Sequence, residues 1–431
     1  MCTTSVRNRR QLLSGSKAIL FLSVLFLVAA CSPKIRPVAP QTSAKTEEQI
    51  NREKAEAAKV AEAVKPVADT PKLVRANRKT SIALLLPFDL DHVDFSKNTS
   101  SKNLLKTNIA VDFYEGFKLA LDSLSGSGQN FKLNVFDTKD EVSQAQKLSQ
   151  NPIIRNSDLI VGPVFPAGVQ AFSASVSNLN KPLVSPLSAA SPAGYNNQNL
   201  ITLTPPLEFH AWRVAKFIQE NIRPKTVYIL RSGFTEENKY ILPFKRSIDS
   251  LGRKRIKVVD VTISKGDFTA LLPQLSKTSE NVFVIPSTNR SFLSVTLQAL
   301  GALADTYPVQ LFGHPNWNKA TFLQPELLEK MHTCITSASQ IDYKSAEIIN
   351  LIRNFRKVYH TEPSEYALKG FDTGMYFARL SADAGFDFKQ LQNAPVDAGN
   401  EYQFVQKKGY GWINTHVELL QYDNYTLKQV Q

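Results

Sequence analysis

A series of short, wholly apolar runs constrains this chain more than any other feature. Each run is stopped by proline or glycine, and helix-period stretches separate them. Ser81-Ile82-Ala83-Leu84-Leu85-Leu86-Pro87 is the first. A segment apolar at every residue, not every second one, suits a strand covered on both faces. Thr107 to Leu124 follows, with Ile109, Ala110, Phe113, Phe117, Ala120 and Leu124 on one helical stripe. Ser125-Gly126-Ser127-Gly128 ends it. Phe131 to Asp137 alternates as a strand, and Asp158-Leu159-Ile160-Val161-Gly162-Pro163 and Lys181-Pro182-Leu183-Val184-Ser185-Pro186 are two more, with a helical segment Val169 to Asn178 between them. Strand, helix, strand, helix predicts a parallel sheet with right-handed crossovers.

The alternation restarts after Thr204-Pro205-Pro206. A helix with Phe209, Trp212, Phe217 and Ile218 on its apolar side leads to the strand Lys225 to Leu230. A helix over 235–251 leads to a strand over 256–261, and strands at 281–285 and 309–313 flank a helix over 291–303. The expected fold class is therefore α/β, with two doubly wound parallel-sheet lobes.

Before Thr80 the chain has a different character. From Ser32 to about Arg78 it lacks aromatic residues and runs from Pro-rich to Ala/Lys/Glu-rich, so it cannot bury a core and reads as a tether over 31–78. Residues 1–30 carry Arg7, Arg9, Arg10 and Lys17 ahead of a 13-residue apolar stretch, Ala18 to Ala30. That stretch is too short to cross roughly 30 Å of hydrocarbon as a helix. A basic flank, a short apolar core and small residues before a cut make a secretory signal. Leu27-Val28-Ala29-Ala30-Cys31 resembles the lipobox of bacterial lipoproteins, in which the cysteine takes diacylglycerol and palmitate and becomes the mature N-terminus. Ser32 in place of Asp points to the outer membrane; Ser32 does not fix the face, and the expected location is the periplasmic one.

Cys2 leaves with the signal and Cys31 is assigned to lipid. Cys334 then stands alone, a small buried hydrophobe rather than a catalytic thiol, and the fold is independent of disulfides. The formal charge is +13, and losing the signal's four basic residues leaves +9. The basic residues are dispersed, with a local group at Arg253, Lys254, Arg255 and Lys257. The sequence offers a solvated basic face, suited to anionic envelope polymers, and no nucleic-acid partner.

Several stretches resemble the type I periplasmic binding proteins, the leucine/isoleucine/valine-binding family. They are Asn108 to Ala120 with its Tyr114-Glu115-Gly116, Phe136-Asp137-Thr138 followed by Gln144-Ala145, Ile160-Val161-Gly162-Pro163, Pro182-Leu183-Val184-Ser185-Pro186, and Tyr366-Ala367-Leu368-Lys369-Gly370-Phe371-Asp372-Thr373. The resemblance spans roughly Thr80 to Tyr425. It implies two lobes joined by three hinge crossings, near Thr204-Pro205, near Cys334-Ile335-Thr336, and around Asn393 to Tyr402. Lobe 1 would then hold 79–205 and 335–400, and lobe 2 would hold 206–334 and 401–431. The ligand would sit at the carboxyl ends of the strands, as in open α/β sheets generally. The implied cleft residues are Phe88, Phe165, Ser185, Ser188, Ser191, Phe234, Ser287 and Trp317. Trp317 has two readings: stacking on a ligand ring, or closing the core of lobe 2.

The chain departs from the amino-acid-binding pattern. The loop after the third strand, Val164-Phe165-Pro166-Ala167-Gly168, lacks the serine hydroxyl that holds a carboxylate in that family, and Ser188-Ala189-Ala190-Ser191 replaces its Ala-x-Thr. No acidic residue matches the α-ammonium partner. A buried zwitterion needs both charges paired. Asp89, Asp91, His92 and Asp94 cluster after the first strand but match no calcium loop. The histidines have no metal-ligand spacing, and nucleophile-elbow, phosphate-loop and dinucleotide motifs are missing. The expectation is a non-enzyme without cofactor or metal. Two functions stay open: a lipid-anchored solute-binding protein for a small polar ligand, partnered by an ABC permease, and an interaction lipoprotein regulating peptidoglycan synthesis, similar to activators of penicillin-binding proteins.

Overall fold

The computed structural model describes residues 79–92, 101–383, 385–393, 401–406 and 409–430. The signal, Cys31, the tether and Asp94 lie outside them. The described residues belong to one unit, Ala76–Gln431.

In chain order, the first lobe is built from β1 (Thr80–Leu86), α1 (Ser101–Gly126), β2 (Phe131–Asp137), α2 (Val142–Leu148), α3 (Pro152–Asn156), β3 (Leu159–Val161), α4 (Pro166–Val176), β4 (Leu183–Ser185) and β5 (Leu200–Thr202). The second lobe follows with α5 (Leu207–Phe217), β6 (Thr226–Arg231), α6 (Asn238–Leu251), β7 (Lys257–Thr262), β8 (Asn281–Ile285), α7 (Arg290–Leu303), β9 (Val309–Gly313), α8 (Pro325–Lys330) and β10 (Cys334–Ser337). The chain then supplies α9 (Ala346–Tyr359), α10 (Glu365–Thr373), β11 (Phe404–Gln406), β12 (Trp412–Asn414), β13 (Glu418–Asp423) and β14 (Thr426–Gln429).

Among the described residues the strands form two seven-stranded sheets, ordered β11-β12-β5-β4-β3-β1-β2 and β14-β13-β10-β9-β8-β6-β7. The pairs built from the apolar runs are parallel, with Ile82 to Leu84 registered on Leu159 to Val161, and Val227 to Ile229 on Val282 to Val284. Ile82, Leu84, Val161 and Val184 enter one core while Ala83, Leu85, Ile160 and Leu183 enter another on the opposite face of the first sheet. Burial on both faces explains why these runs show no alternation. Antiparallel pairs occur where β11 meets β12, β10 meets β13 and β13 meets β14.

Two crossings differ from the expected positions. β10 still pairs with β9 and β13 in the second sheet, so the second crossing follows Ser337 instead of passing through Cys334-Ile335-Thr336. The third lies between Asn414 and Glu418, not around Asn393 to Tyr402. The cause is β12, whose Trp412 and Ile413 register on Ile201 and Thr202 in the first sheet. Trp412 and Phe404 are buried in the first lobe's core, which holds β11 and β12 there.

Helices α1 and α10 meet backbone to backbone. A Cβ on Gly116 would stand 1.8 Å from the Ala367 carbonyl oxygen, and one on Gly370 would stand 2.2 Å from that of Phe113. Only hydrogen side chains fit this contact. Cys334 is buried, which pushes its thiol up to about 12, and Gln310 Nε2 lies 3.5 Å from its sulfur. It fills a core, as its isolation in the sequence implied.

Candidate interlobe ligand site

Parallel strands end together, so the loops after β1, β2, β3 and β4 share one edge of the first sheet. The Thr107 hydroxyl of α1 donates to the Phe88 carbonyl at 2.9 Å, which ties the loop after β1 to the next helix. The Phe88 ring meets Tyr114 edge-on, with centroids 6.3 Å apart. Lys106 stands over the Phe165 ring, 5.7 Å from its centroid, and forms an ion pair with Asp140 beyond β2. The loop after β3 thus carries an aromatic ring under an ion-paired lysine. Gly162 turns the chain into this loop at φ +94°, and a Cβ there would lie 2.1 Å from the Leu85 carbonyl oxygen.

Asp137, at the end of β2, organises the neighbouring loop by accepting the backbone N–H groups of Asp89 (3.1 Å) and Lys139 (2.8 Å). His92 pairs with Asp89 at 2.6 Å, and Lys139 pairs with Asp91. The hydrogen bond to Asp89 raises the His92 pKa. The described acidic residues of this loop thus have cationic partners from the protein itself.

The serines divide. Ser188 is buried, and its hydroxyl accepts the Ala190 N–H at 3.3 Å and hydrogen-bonds Tyr195. Ser185 is buried at the end of β4, and its hydroxyl has no hydrogen-bond partner. Ser191 is exposed.

On the second lobe Phe234 is 60% exposed in the loop after β6. Beside it, Glu237 accepts the Ser232 hydroxyl at 2.6 Å and its N–H at 3.1 Å. Ser287 follows β8, and its hydroxyl accepts the Asn289 N–H at 3.3 Å. Trp317 is the correction. It is 2% exposed, lies in the second core, and its indole N–H donates to the Ser287 carbonyl at 2.9 Å. A Cβ on Gly313 would lie 2.2 Å from its ring. The indole needs that glycine as its bed, so the core reading of Trp317 holds and the ligand-stacking reading fails. The glycine four residues earlier was the available signal.

The lobes meet at a contact that sequence reasoning missed. Lys319, just after β9, forms an ion pair with Glu365 in the first turn of α10. Its ammonium is 5.7 Å from the Tyr366 centroid, and Lys369 lies 5.6 Å from the same ring. Burial opposes ionisation of Glu365, and Lys319 and Lys369 outweigh it to lower the pKa.

Behind the cleft, at the root of the hinges, two histidines are buried. His210 of α5 places Nδ1 2.9 Å from the Thr336 hydroxyl of β10 and hydrogen-bonds the Pro205 carbonyl. His314, just after β9, accepts the Asn316 N–H on Nδ1 at 3.1 Å. Burial lowers His210 to about 3, with the neighbouring His314 adding to the shift, and burial lowers His314 to about 4. Both are neutral at ordinary pH.

Two concavities lie away from these residues. A cavity of ≈ 280 Å³ sits between α1, α9 and α10, lined by Leu119, Leu351, Met375 and Tyr376, with Asp372, whose burial raises its carboxyl well above the usual range. A groove of ≈ 500 Å³ runs between α5 and α6 and the Gln403, Val405 and Thr415 side of the first lobe.

No protein-family model matches the chain, and no curated protein does. Solved structures do match. A branched-chain amino acid ABC transporter protein of Rhodospirillum rubrum is 12% identical, with TM-score 0.61, over 82% of this chain and 100% of its own. An ABC transporter substrate-binding protein of Desulfitobacterium hafniense, in complex with Leu, is 15% identical with TM-score 0.54 over the same shares. The C-domain of LpoA from Haemophilus influenzae, a regulator of PBP1A, is 13% identical with TM-score 0.55, over 82% of this chain and 100% of that domain. Two wound sheets joined by three crossings agree with these matches, and the chain has the type I periplasmic binding protein fold.

Proposed function

We propose that this chain is a lipid-anchored envelope protein that closes its two lobes on a small polar ligand, for uptake or sensing. The observation carrying this reading is the pairing of two separate sheets across the Lys319–Glu365 ion pair, which is partly exposed. Such surface pairs contribute about 0–1 kcal/mol, so opening and closing cost little. Phe88, Phe165 and Phe234 offer aromatic rings, and Lys319 and Lys369 share the one carboxylate of Glu365, which leaves net positive charge there. This set suits a polar ligand other than a free amino acid. On this reading Cys31 carries the lipid, the body hangs on a tether at the outer membrane facing the periplasm, and an ABC permease is the partner. A thermal-shift screen of the mature protein against amino acids, peptides, sugars and wall fragments at millimolar concentration tests the reading. Stabilisation by one class supports it, and a flat response across all of them counts against it.

One observation favours a second reading. The Ser188 and Ser287 hydroxyls are already engaged in their own backbone turns, which leaves fewer groups for a ligand. The PBP1A regulator shares this fold. On that reading the body is an interaction module for a cell-wall synthase. Co-purification of a penicillin-binding protein, lost when residues 32–78 are deleted, distinguishes it from solute binding.

A further inference from the structure

We infer that Glu401, His416 and Glu418 form a divalent transition-metal site, of the kind that takes zinc, where the chain makes its third crossing between the lobes. The three side chains bring one ligand atom each within 4.8 Å of one another. The backbone sets this up. Before β11 the chain runs beside the crossing segment: the Thr415 N–H donates to the Gln403 carbonyl at 2.8 Å, and the Gln403 N–H donates to Asn414 Oδ1 at 3.0 Å. Asn414 Oδ1 also accepts the His416 N–H at 3.0 Å. Glu401 is thereby held opposite His416, and Glu418 opens β13 two residues later.

The spacing fits an ion better than direct hydrogen bonds. His416 Nε2 is 3.4 Å from Glu401 Oε2 and 3.5 Å from Glu418 Oε1. Charge-assisted hydrogen bonds to nitrogen are shorter, about 2.7–2.9 Å. Two donors each about 2.1 Å from a tetrahedral ion stand about 3.4 Å apart. One imidazole nitrogen also cannot satisfy two carboxylates with its single proton, whereas a cation satisfies all three groups. A second, independent observation points the same way. Glu418 Oε2 is buried without a hydrogen-bond partner. A buried carboxylate oxygen left unpaired is costly, and a cation beside it removes that cost. An imidazole with two carboxylates is a nitrogen–oxygen donor set that suits a divalent transition metal such as zinc and leaves a fourth position for water. Glu401, about half exposed, gives the ion its route in.

Glu401 leads into β11 of the first sheet and Glu418 lies in β13 of the second, so a bound ion ties the lobes together beside the hinge. The inference is independent of what the cleft binds. The test is calorimetric titration of zinc into the full mature protein after chelator treatment, with metal content measured after desalting. The expected result is one zinc per chain, abolished in His416→Gln and Glu418→Gln. Glu401→Gln changes an exposed residue, so it should melt like wild type without zinc and still bind zinc at least about tenfold more weakly. No stoichiometric binding at micromolar zinc overturns the inference, as does zinc binding of unchanged strength in Glu401→Gln.

Discussion

Replacing Gly116 by alanine probes the contact on which the first lobe is built. The new methyl would stand 1.8 Å from the Ala367 carbonyl oxygen, where real Cβ contacts essentially never fall under 3.0 Å. The obstacle is backbone in a neighbouring helix, so α1 and α10 must part by about 1.2 Å, and no side chain can swing aside. Overpacking of this kind costs about 1–3 kcal/mol, and a backbone clash belongs at the upper end. Parting the helices also loosens Leu119, Phe355 and Ala367, which pack as one cluster beside the contact. A radial gap of about 0.5–1 Å forfeits a quarter to a half of the dispersion attraction across it. Against this, alanine is about 1 kcal/mol better than glycine in a helix. The net expectation is a loss of about 2 kcal/mol, which lowers the melting temperature of a body this size by about 3 °C. Gly126→Ala at the end of the same helix is the control, because nothing lies within 4 Å of its Cβ. It should melt like wild type or slightly higher. Gly370→Ala forces the same parting from the other side, so the double variant should lose less than the sum of the single losses. Differential scanning calorimetry reads the four variants against wild type. A Gly116→Ala protein as stable as the Gly126→Ala control would refute the reasoning.

Further outcomes follow from the hinge, the cleft and the anchor. His210 and His314 have folded values of about 3 and about 4, below the ordinary 6.5, so the unfolded chain binds protons first as pH falls. Their contribution is complete above about pH 6.5 and is lost on acidification toward those folded values, at about 1.4 kcal/mol per pH unit for each ring. From pH 7.5 to pH 5 the two imidazoles should therefore withdraw about 2 kcal/mol each from the stability read by urea denaturation, opposed by Asp372, whose raised carboxyl works in the other direction, so His210→Asn should shrink the loss by about 2 kcal/mol. A pH dependence unchanged in His210→Asn would contradict this assignment. Lys319→Ala should cost no more than about 1 kcal/mol of stability while enlarging the radius of gyration in small-angle scattering, since it removes an interlobe contact without touching either core. Unchanged scattering would mean that the pair does not restrain the lobes. Cys31→Ala should move the protein from the membrane to the soluble fraction, and a variant that is processed yet stays membrane-bound would rule out the lipid anchor.

The two-lobe fold was legible because strands buried on both faces print a continuous apolar run, and Pro87, Pro163, Pro186 and Pro286 mark where those runs stop. The glycines of Glu115-Gly116 and Gly370-Phe371 were visible as a resemblance, and their cause, a helix-to-helix backbone contact, is tertiary. The third crossing was misplaced because β11 and β12 have three residues each, too few for periodicity to show, and Trp412 reads the same in either lobe. The cleft was legible as a location and less so as chemistry. Ser188 and Ser287 look like ligand hydroxyls until their backbone partners are known. Lys319 and Glu365 stand 46 residues apart on different lobes, so no spacing rule joins them. His416 likewise looked isolated, because strand pairing, not sequence distance, brings Glu401 beside it.

The central claim is that the cleft between the lobes takes a small ligand and closes on it. Thermal-shift screening of the mature protein tests it most directly, repeated in a Phe165→Ala variant whose cleft wall is changed while the hinges are not. The account predicts that one chemical class raises the melting temperature of wild type in a concentration-dependent way, and that the shift shrinks in the variant. No shift with any class in wild type, alongside co-purification of a cell-wall synthase, would contradict it.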